Sequence, residues 1–185
     1  MVPTEGVNAV ASIEELSAAI ENLERRVRVC EDERDIRELL SRYGYNADGC
    51  RNEEYVALWT EDATYDLSTV MTENGNIEEM IHSWHGKEGM RDLITDPDGH
   101  SRPGFYGHTM HVSDVNLVVH LEGDVAVANS YSLLYKEVEG VVHLISAGSN
   151  EWKLRRVNGQ WLIQGRSRSQ LGTANFAQQL RATPS

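Results

Sequence analysis

Two histidines in the segment FYGHTMHVS, residues 105–113, have side chains suited to proton transfer or metal binding. His108 and His111 are three positions apart, and residues i and i+3 of a strand face opposite sides, so the pair cannot easily share one metal ion. No other spacing of His, Cys or carboxylate residues compensates, so we expect no metal site. One histidine should point inward, either as a hydrogen-bonded core residue or as a catalytic base. A carboxylate partner would favour the base, because it fixes the imidazole tautomer and raises its basicity.

Asp48 is the candidate for that carboxylate. It ends a predicted helix and precedes Gly49, so a helix-ending turn explains it equally well. Tyr43 lies five residues earlier, about 140° around an ideal helix. The two side chains therefore converge only if the helix loosens near its end.

Polar residues interrupt the apolar faces of two predicted strands. Asn150 shares a face with Trp152 and Leu154, and a buried amide must be hydrogen-bonded to neighbours or to a ligand. In the preceding strand, alternation places Asn129 and Tyr131 on the inward face. A strand face that becomes polar halfway along indicates a cavity.

Arg166 is the remaining candidate. Alternation along the last predicted strand puts it on the face of Leu162 and Gln164, opposite Trp161 and Ile163. A solvated edge and a functional position explain this arginine equally well.

The elements that must position these residues follow from the periodicity of the apolar side chains. A helix with apolar residues at spacings of three and four leads to Asp48, and Asn52 caps a second, short helix. The predicted strands span residues 63–70, 107–121, 124–138, 141–156 and 160–170, with a turn at 72–76, a helix at 87–94, a candidate lid at 95–104 and an ambiguous segment at 77–84. Helices followed by an antiparallel meander predict an α+β fold with a strongly curved sheet.

A helix outside this core begins at Ser12, where Glu15 completes a capping-box pattern. Its apolar residues are Ile13, Leu16, Ile20, Leu23, Val27 and Cys30, at spacings that alternate between three and four. Such a narrow stripe is typical of a coiled-coil seam. We expect a subunit contact rather than packing on the helix's own domain.

Composition restricts the function. The chain has 185 residues, enough for one domain with an N-terminal extension, and its formal net charge of -12 argues against nucleic-acid or anionic-membrane partners. The two cysteines form no Cys-x-x-Cys motif, residues 1–16 contain no basic region, and no apolar run approaches the length of a membrane span. We expect a soluble cytoplasmic protein.

Four local patterns together resemble one family. They are Tyr-x-x-x-x-Asp at residues 43–48, LWTEDATY at 58–65, HTMH at 108–111, and NEWKLRR followed by GQW at 150–161. In this order they resemble the SnoaL-like group of the nuclear-transport-factor-2-like superfamily, over about Val29 to Gly172. The resemblance implies a cystatin-like α+β barrel, in which a cone-shaped sheet encloses one deep pocket around N-terminal helices.

The resemblance also implies roles for individual residues. In members such as scytalone dehydratase and bile-acid 7α-dehydratase, an Asp at the position of Asp48 pairs with a His at the position of His111. A Tyr matches Tyr43 in some dehydratases, and Asn150 matches a pocket amide of scytalone dehydratase. The functional Arg of hexachlorocyclohexane dehydrochlorinase matches Arg166. The second histidine and the adjacent Tyr-Asp pair of scytalone dehydratase are not reproduced in the sequence.

These implications predict a cofactor-independent lyase or isomerase acting on a hydrophobic cyclic substrate. His111, held by Asp48, would remove a proton, Tyr43 would hydrogen-bond the developing oxyanion, and Arg166 would stabilise negative charge. The residues expected to contact substrate are Trp59, Phe105, His108, Met110, Tyr131 and Asn150. The alternatives are a small-molecule-binding domain without turnover and the small subunit of a ring-hydroxylating oxygenase.

The predicted organisation has three parts. Residues 1–30 form a tail and the heptad helix, 31–175 the barrel domain, and 176–185 a C-terminal tail. We expect a homo-oligomer, either a dimer or a trimer, without nucleic-acid or membrane partners.

Overall fold

A computed structural model describes residues 12–73, 76–97, 100 and 104–183 of the chain. Its elements are α1 (Ile13–Asp48), α2 (Asn52–Ala57), β1 (Trp59–Glu73), β2 (Asn76–His85), α3 (Gly86–Thr95), β3 (Thr109–Glu122), β4 (Val125–Val138), β5 (Val141–Val157), β6 (Gln160–Gln170) and α4 (Ala174–Ala182). The chain divides into two compact units, Met1–Arg34 and Asp35–Ser185. None of the helices within the described ranges is long and apolar enough to cross a membrane.

The described part of the first unit is helical from Ile13 onward. The predicted capping box is present: the Ser12 backbone N–H donates to Glu15 Oε2 at 2.7 Å, and the Glu15 N–H donates to Ser12 Oγ at 3.2 Å. These bonds satisfy two of the backbone donors that a helix start leaves free.

The second unit contains a six-stranded sheet in the order β2-β1-β6-β5-β4-β3. β1 runs parallel to β6, and every other neighbouring pair is antiparallel. The predicted meander and the α+β class are therefore confirmed, and the ambiguous segment 77–84 belongs to β2. Register shifts interrupt four of the five pairings, as expected of long strands that bend.

The hydrophobic core lies between the helices and this sheet. The predicted apolar stripe of α1 is buried, from Ile36 to Ala47, and α3 buries Met90, Leu93 and Ile94 as its spacing predicted. Both sets belong to one cluster that also includes large side chains of β5 and β6. The part of α1 that leads to Asp48 is thus fixed against the sheet.

Small residues, not the valines, form the inward face of β4. Alternation predicted Asn129 and Tyr131 to face inward together with Val127, but Val127 and Tyr131 are 38% and 39% exposed, whereas Ala128 is fully buried. Ala128 is paired with the bulky Trp152 of β5, which fills the space beside it. Asn129 is buried on the other face, where it lines a cavity together with residues of α4.

A β-bulge in β6 reverses the predicted orientation of Arg166. Lys153 pairs with Gly165 but Leu154 pairs with Ile163, so Gln164 is the extra residue. Beyond it the alternation shifts by one position. Arg166 is therefore buried, as Ile163 is before the bulge, rather than sharing the more exposed face of Gln164.

The C-terminal segment is more ordered than the predicted tail at 176–185. Residues from Ala174 to Ala182 form α4, whose N-cap Thr173 accepts a hydrogen bond from the Phe176 N–H at 3.0 Å. The helix packs on β5 and β6, and Ser149 donates to Gln179 at 2.6 Å. The predicted Asn74-Gly75 turn and residues 98–99 and 101–103 of the predicted lid lie outside the described residues.

Candidate active site

The structure brings Asp48 and His111 into direct contact. His111 Nδ1 lies 2.6 Å from Asp48 Oδ1, and the His111 backbone N–H donates to Asp48 Oδ2 at 2.7 Å. The Thr109 hydroxyl lies 3.3 Å from Asp48 Oδ1 and 3.0 Å from the Phe105 carbonyl oxygen, and its one proton can bond to either acceptor. A carboxylate that only accepts hydrogen bonds places the imidazole proton on Nδ1, so that Nε2 is left as the basic nitrogen.

Close packing of α1 against β3 makes this contact geometrically feasible. Tyr43 and Asp48 converge on the site although α1 remains an α-helix up to Asp48, because the helix end lies directly against β3. A Cβ placed on Gly44 would be 2.9 Å from the carbonyl oxygen of His111. Only glycine allows the two backbones to approach this closely.

Gly44→Ala is expected to destabilise the protein by about 1–3 kcal/mol, because α1 and β3 must move apart to admit the methyl group. The expected loss is opposite in sign to the effect of helix propensity, since alanine stabilises a helix by about 1 kcal/mol relative to glycine. Urea unfolding measures the effect. Ser17→Ala, at an exposed position of the same helix, is the control and should change stability by less than about 0.5 kcal/mol. A Gly44→Ala variant as stable as the wild type would contradict the close approach.

His111 lines a cavity of about 280 Å³ in the second unit. The other lining residues come from α1, β1, the segment before β3, and β3 to β6: Tyr43, Tyr65, Leu67, Thr69, His100, Phe105, Ser113, Ser132, Leu133, Leu134, Ser146, Arg166 and Arg168. Apolar and aromatic groups dominate, and the described lining contains two arginines but no Asp or Glu. A cavity of this kind favours a small hydrophobic ligand with an anionic group.

Arg166 is buried and, among the described residues, has no carboxylate partner. It donates to Tyr43 and, through Nε and Nη2, to Asn150 Oδ1 at 3.0 and 2.9 Å. Its guanidinium carbon also lies 4.6 to 4.8 Å from the ring centres of Tyr43, Tyr65 and Trp152. All of these partners are neutral, and a guanidinium stays charged, so the positive charge is available to a bound anion.

Tyr43 is held as a hydrogen-bond donor. Its oxygen accepts from Arg166 and from the Tyr55 hydroxyl at 3.3 Å, which leaves its own proton for another acceptor. Burial raises the pKa of Tyr43 to about 12, although the charge of Arg166 opposes the shift. The phenol therefore remains protonated at neutral pH.

Arg168 adds a second cation to the cavity. It donates to Ser132 at 3.0 Å and to Ser146 at 2.7 Å, both neutral hydroxyl groups. Burial and the nearby charge of Arg166 lower the pKa of Arg168, despite an opposing contribution from Tyr65. Two neighbouring cations strengthen the case for an anionic ligand.

His100 lies against the ring of His111. Their ring centroids are 5.5 Å apart with an interplanar angle of 16°, and Phe105 packs on both rings. Burial lowers the pKa of His100 to about 4, and the positive charge of Arg166 acts in the same direction. His100 is therefore neutral at physiological pH and can serve as a donor or an acceptor.

Acidification should destabilise the fold through His100. Its pKa of about 4 lies below the ordinary 6.5, so the unfolded chain takes up a proton that the folded chain does not. Above pH 6.5 His100 is neutral in both states and does not change the free energy of unfolding. Between pH 6.5 and pH 4 the proton taken up by the unfolded chain should lower that free energy by up to about 3 kcal/mol. Urea unfolding between these two pH values measures the loss, and His100→Asn should lose less stability than the wild type. An equal loss in both proteins would contradict the assignment.

Comparison with known proteins identifies the second unit. Residues 28–167 match the SnoaL-like domain. The chain belongs to this family. No curated protein matches the chain at a significant level. The predicted resemblance is therefore confirmed at the level of the family.

Solved structures support the fold of this SnoaL-like chain. An NTF2-like protein with a cystatin-like fold from Novosphingobium aromaticivorans has a TM-score of 0.70 and 28% identity, over 93% of this chain and 99% of that one. The β subunit of a candidate aromatic-ring-hydroxylating dioxygenase from the same organism has a TM-score of 0.59 and 17% identity, over 77% and 92%. A candidate scytalone dehydratase from that organism has a TM-score of 0.54 and 18% identity, over 76% and 85%.

Four residues expected to contact substrate do not line this cavity of the SnoaL-like domain. Met110 is 51% exposed, because it neighbours His111 on the same strand and must face the other side. Tyr131 of β4 is exposed because it neighbours the lining residue Ser132 in the same way. His108 is exposed and pairs with Glu137 at 2.5 Å. Trp59 is fully buried one layer behind, in contact with the rings of Tyr43 and Tyr65.

Phe105 and Asn150 have different positions relative to the cavity. Phe105 is buried and lines it directly. Asn150 lies behind the cavity and orients Arg166, while its amide NH₂ donates to the Ser113 carbonyl and the Ser130 hydroxyl, each at 3.2 Å. Asn150 is thus a positioning residue for the arginine.

Three lining residues with an aromatic or charged side chain were not predicted from the sequence. Tyr65 and Arg168 carried a usable signal, because alternation places Tyr65 in line with Leu67 on β1, and Arg168 two positions after Arg166. His100 carried none, since it lies outside the helices and strands, where no periodicity indicates the direction of a side chain.

A larger depression of the SnoaL-like unit, about 690 Å³, lies elsewhere. Its lining includes the charged residues Asp35, Arg42 and Glu54, and its described lining contains no histidine. The smaller cavity is the better candidate because two arginines line it together with a histidine that contacts a carboxylate. Among the described residues, no group of three or more His, Cys, Asp or Glu side chains could hold a metal ion.

Proposed function

We propose that this SnoaL-like protein is a dehydratase-like lyase or an isomerase that moves a proton on a small, hydrophobic cyclic substrate bearing a carbonyl or carboxylate group. One observation carries the proposal: the 2.6 Å contact between His111 and Asp48 borders the cavity that also contains the charged Arg166. A base and an anion-stabilising cation in one largely apolar cavity suit proton abstraction next to a carbonyl group.

The proton transfer starts at Nε2 of His111. This nitrogen takes a proton from the carbon next to the substrate carbonyl, and the C–H electron pair moves to the carbonyl oxygen to form an enolate. Asp48 stabilises the imidazolium that results. Arg166 and the Tyr43 hydroxyl donate hydrogen bonds to the enolate oxygen.

The fate of the abstracted proton distinguishes the two reaction types. In an isomerase, His111 returns the proton to another carbon of the same molecule. In a dehydratase, the enolate electrons expel a hydroxyl from the β carbon, and that hydroxyl leaves as water with the proton from His111. Neutral His100, which stacks on His111, would hydrogen-bond the leaving hydroxyl.

Deuterium exchange tests the proposal because it detects proton abstraction whether or not a product forms. The purified protein is incubated in D₂O with a panel of cyclic ketones and β-hydroxy keto acids, and NMR follows loss of the proton next to each carbonyl. Catalysed exchange or elimination on at least one compound is the expected result. Compounds that stabilise the protein against heat but show no exchange would favour a binding domain without turnover.

The oxygenase-subunit alternative has its own observable outcome. The β-subunit structure shares only the fold with this chain at 17% identity. Purification of the protein from its native cells in a stable complex with an iron-containing partner, together with absence of exchange, would replace the present proposal.

A further inference from the structure

We propose that residues 13–30 of α1 pair with the same residues of a second copy of the chain in a parallel, in-register, two-stranded coiled coil. Every apolar side chain of the stripe from Ile13 to Val27 is more than half exposed. Helices of this length gain most of their stability in water by packing an apolar face. An exposed stripe with a heptad repeat is such a face, and a second heptad helix fits it.

The residue types along the stripe select the number and direction of the helices. In heptad terms, Ile13, Ile20 and Val27 occupy position a, and Leu16, Leu23 and Cys30 occupy position d. β-branched residues at a with leucine at d favour two parallel strands, whereas isoleucine at both positions, or leucine at a with isoleucine at d, favours three or four. The stripe follows the two-stranded pattern up to Leu23.

The flanking charges favour the parallel arrangement. In a parallel pair, a g residue faces the e residue five positions later on the other helix. Arg26 at g therefore faces Glu31 at e of the second copy, and symmetry repeats this ion pair. In an antiparallel pair with the same a and d residues at the interface, Arg26 would face Ala19 of the second copy, and Glu24 would face Ser17. Neither of these pairs has complementary charges. Only the parallel register gives opposite charges across the seam.

Cys30 provides a reporter for this register. In a parallel, in-register pair, both copies of Cys30 occupy one d layer and face each other across the seam. In the antiparallel arrangement, Cys30 would face Ile13 instead. Thiols in one layer can approach the short Cβ separation that a disulfide requires.

The experiment uses the full chain with Cys50→Ser, so that Cys30 is the single cysteine. Oxidation with copper–phenanthroline and dioxygen removes two protons and two electrons from two thiols and joins them as a disulfide. Most of the protein is expected to run at twice its 20.8 kDa mass on a non-reducing gel and to return to the monomer with reductant. A variant with both cysteines replaced by serine and Arg25→Cys, on the outer face of the helix, should cross-link at least about tenfold more slowly.

A matched pair of seam variants completes the test. Leu23→Glu in the single-cysteine protein should lower the cross-linking rate at least about tenfold, and Arg25→Glu should leave it unchanged. Circular dichroism verifies that both remain folded, which is expected because both positions are exposed. Equal cross-linking through Cys30 and Arg25→Cys would overturn the proposal. Absence of cross-linking through Cys30 would also overturn it. So would cross-linking of a Cys30 chain only to a chain with Ile13→Cys as its single cysteine, because that result would identify an antiparallel pair.

Discussion

His111→Gln is expected to lower the rate of catalysed proton exchange by about 10²–10⁴-fold, the usual contribution of a general base. Glutamine keeps a hydrogen-bonding side chain of similar length but cannot accept a proton at neutral pH. The fold should be retained, because the Asp48 carboxylate still accepts the backbone N–H of residue 111. NMR exchange rates in D₂O, measured on the best compound of the panel, report the effect.

Two further variants define the role of the base. His108→Gln removes the exposed histidine that pairs with Glu137 and should leave the exchange rate within about twofold of the wild type. Asp48→Asn keeps the shape of the side chain that contacts His111 but replaces the carboxylate with an amide, which can donate as well as accept. The amide therefore no longer holds the His111 proton on Nδ1, and Nε2 is not kept as the basic nitrogen toward the cavity. We expect it to lose at least about tenfold in exchange rate. Full activity of His111→Gln would remove the proposed base.

Apolar periodicity predicted the supports of the site better than the site itself. The buried stripe of α1 and the hairpins between the last four strands follow from side-chain alternation and turn residues, and the structure contains both. These patterns are repeated over many residues, so one irregularity changes little. The directions of single side chains lack this redundancy.

Arg166 shows how one residue can reverse such a prediction. Counting alternate positions from Trp161 gives the wrong face, because the extra residue Gln164 shifts the register before the arginine. β4 shows a different error. Alternation assigned Val127 to the inward face, yet Ala126 and Ala128 are the buried residues, and Ala128 pairs with the bulky Trp152.

The contact between Asp48 and His111 could not be deduced from spacing, since the two residues are 63 positions apart, one at a helix end and the other on a strand. The family pattern predicted the pair, and the geometry shows what allows it: Gly44 lets the helix lie against the strand. His100 was missed by both routes. His100 lies five residues after the end of α3, outside any helix or strand, so local sequence does not determine the direction of its side chain.

Arg166→Met is expected to abolish the preference of the cavity for anions while changing stability little. Isothermal titration with benzoate and its neutral counterpart benzamide measures that preference directly. Wild-type protein should bind benzoate more tightly, and Arg166→Met should lose about 10–10²-fold in benzoate affinity, the value of one or two hydrogen bonds to a charged group. Benzamide affinity should change by less than about threefold, because methionine preserves most of the apolar wall.

The small effect on stability follows from the partners of the arginine. Methionine removes a buried charge that no carboxylate of the described residues balances, and this favours the variant. It also leaves Asn150 Oδ1 without its donors, which costs about 1–3 kcal/mol. The free energy of unfolding should therefore stay within about 2 kcal/mol of the wild type. Arg155→Met removes a partly exposed arginine that pairs with Asp62 and does not line the cavity, and it is the control, with unchanged affinity for both ligands. A benzoate preference that survives Arg166→Met would assign anion binding to Arg168 and remove Arg166 from the proposed mechanism.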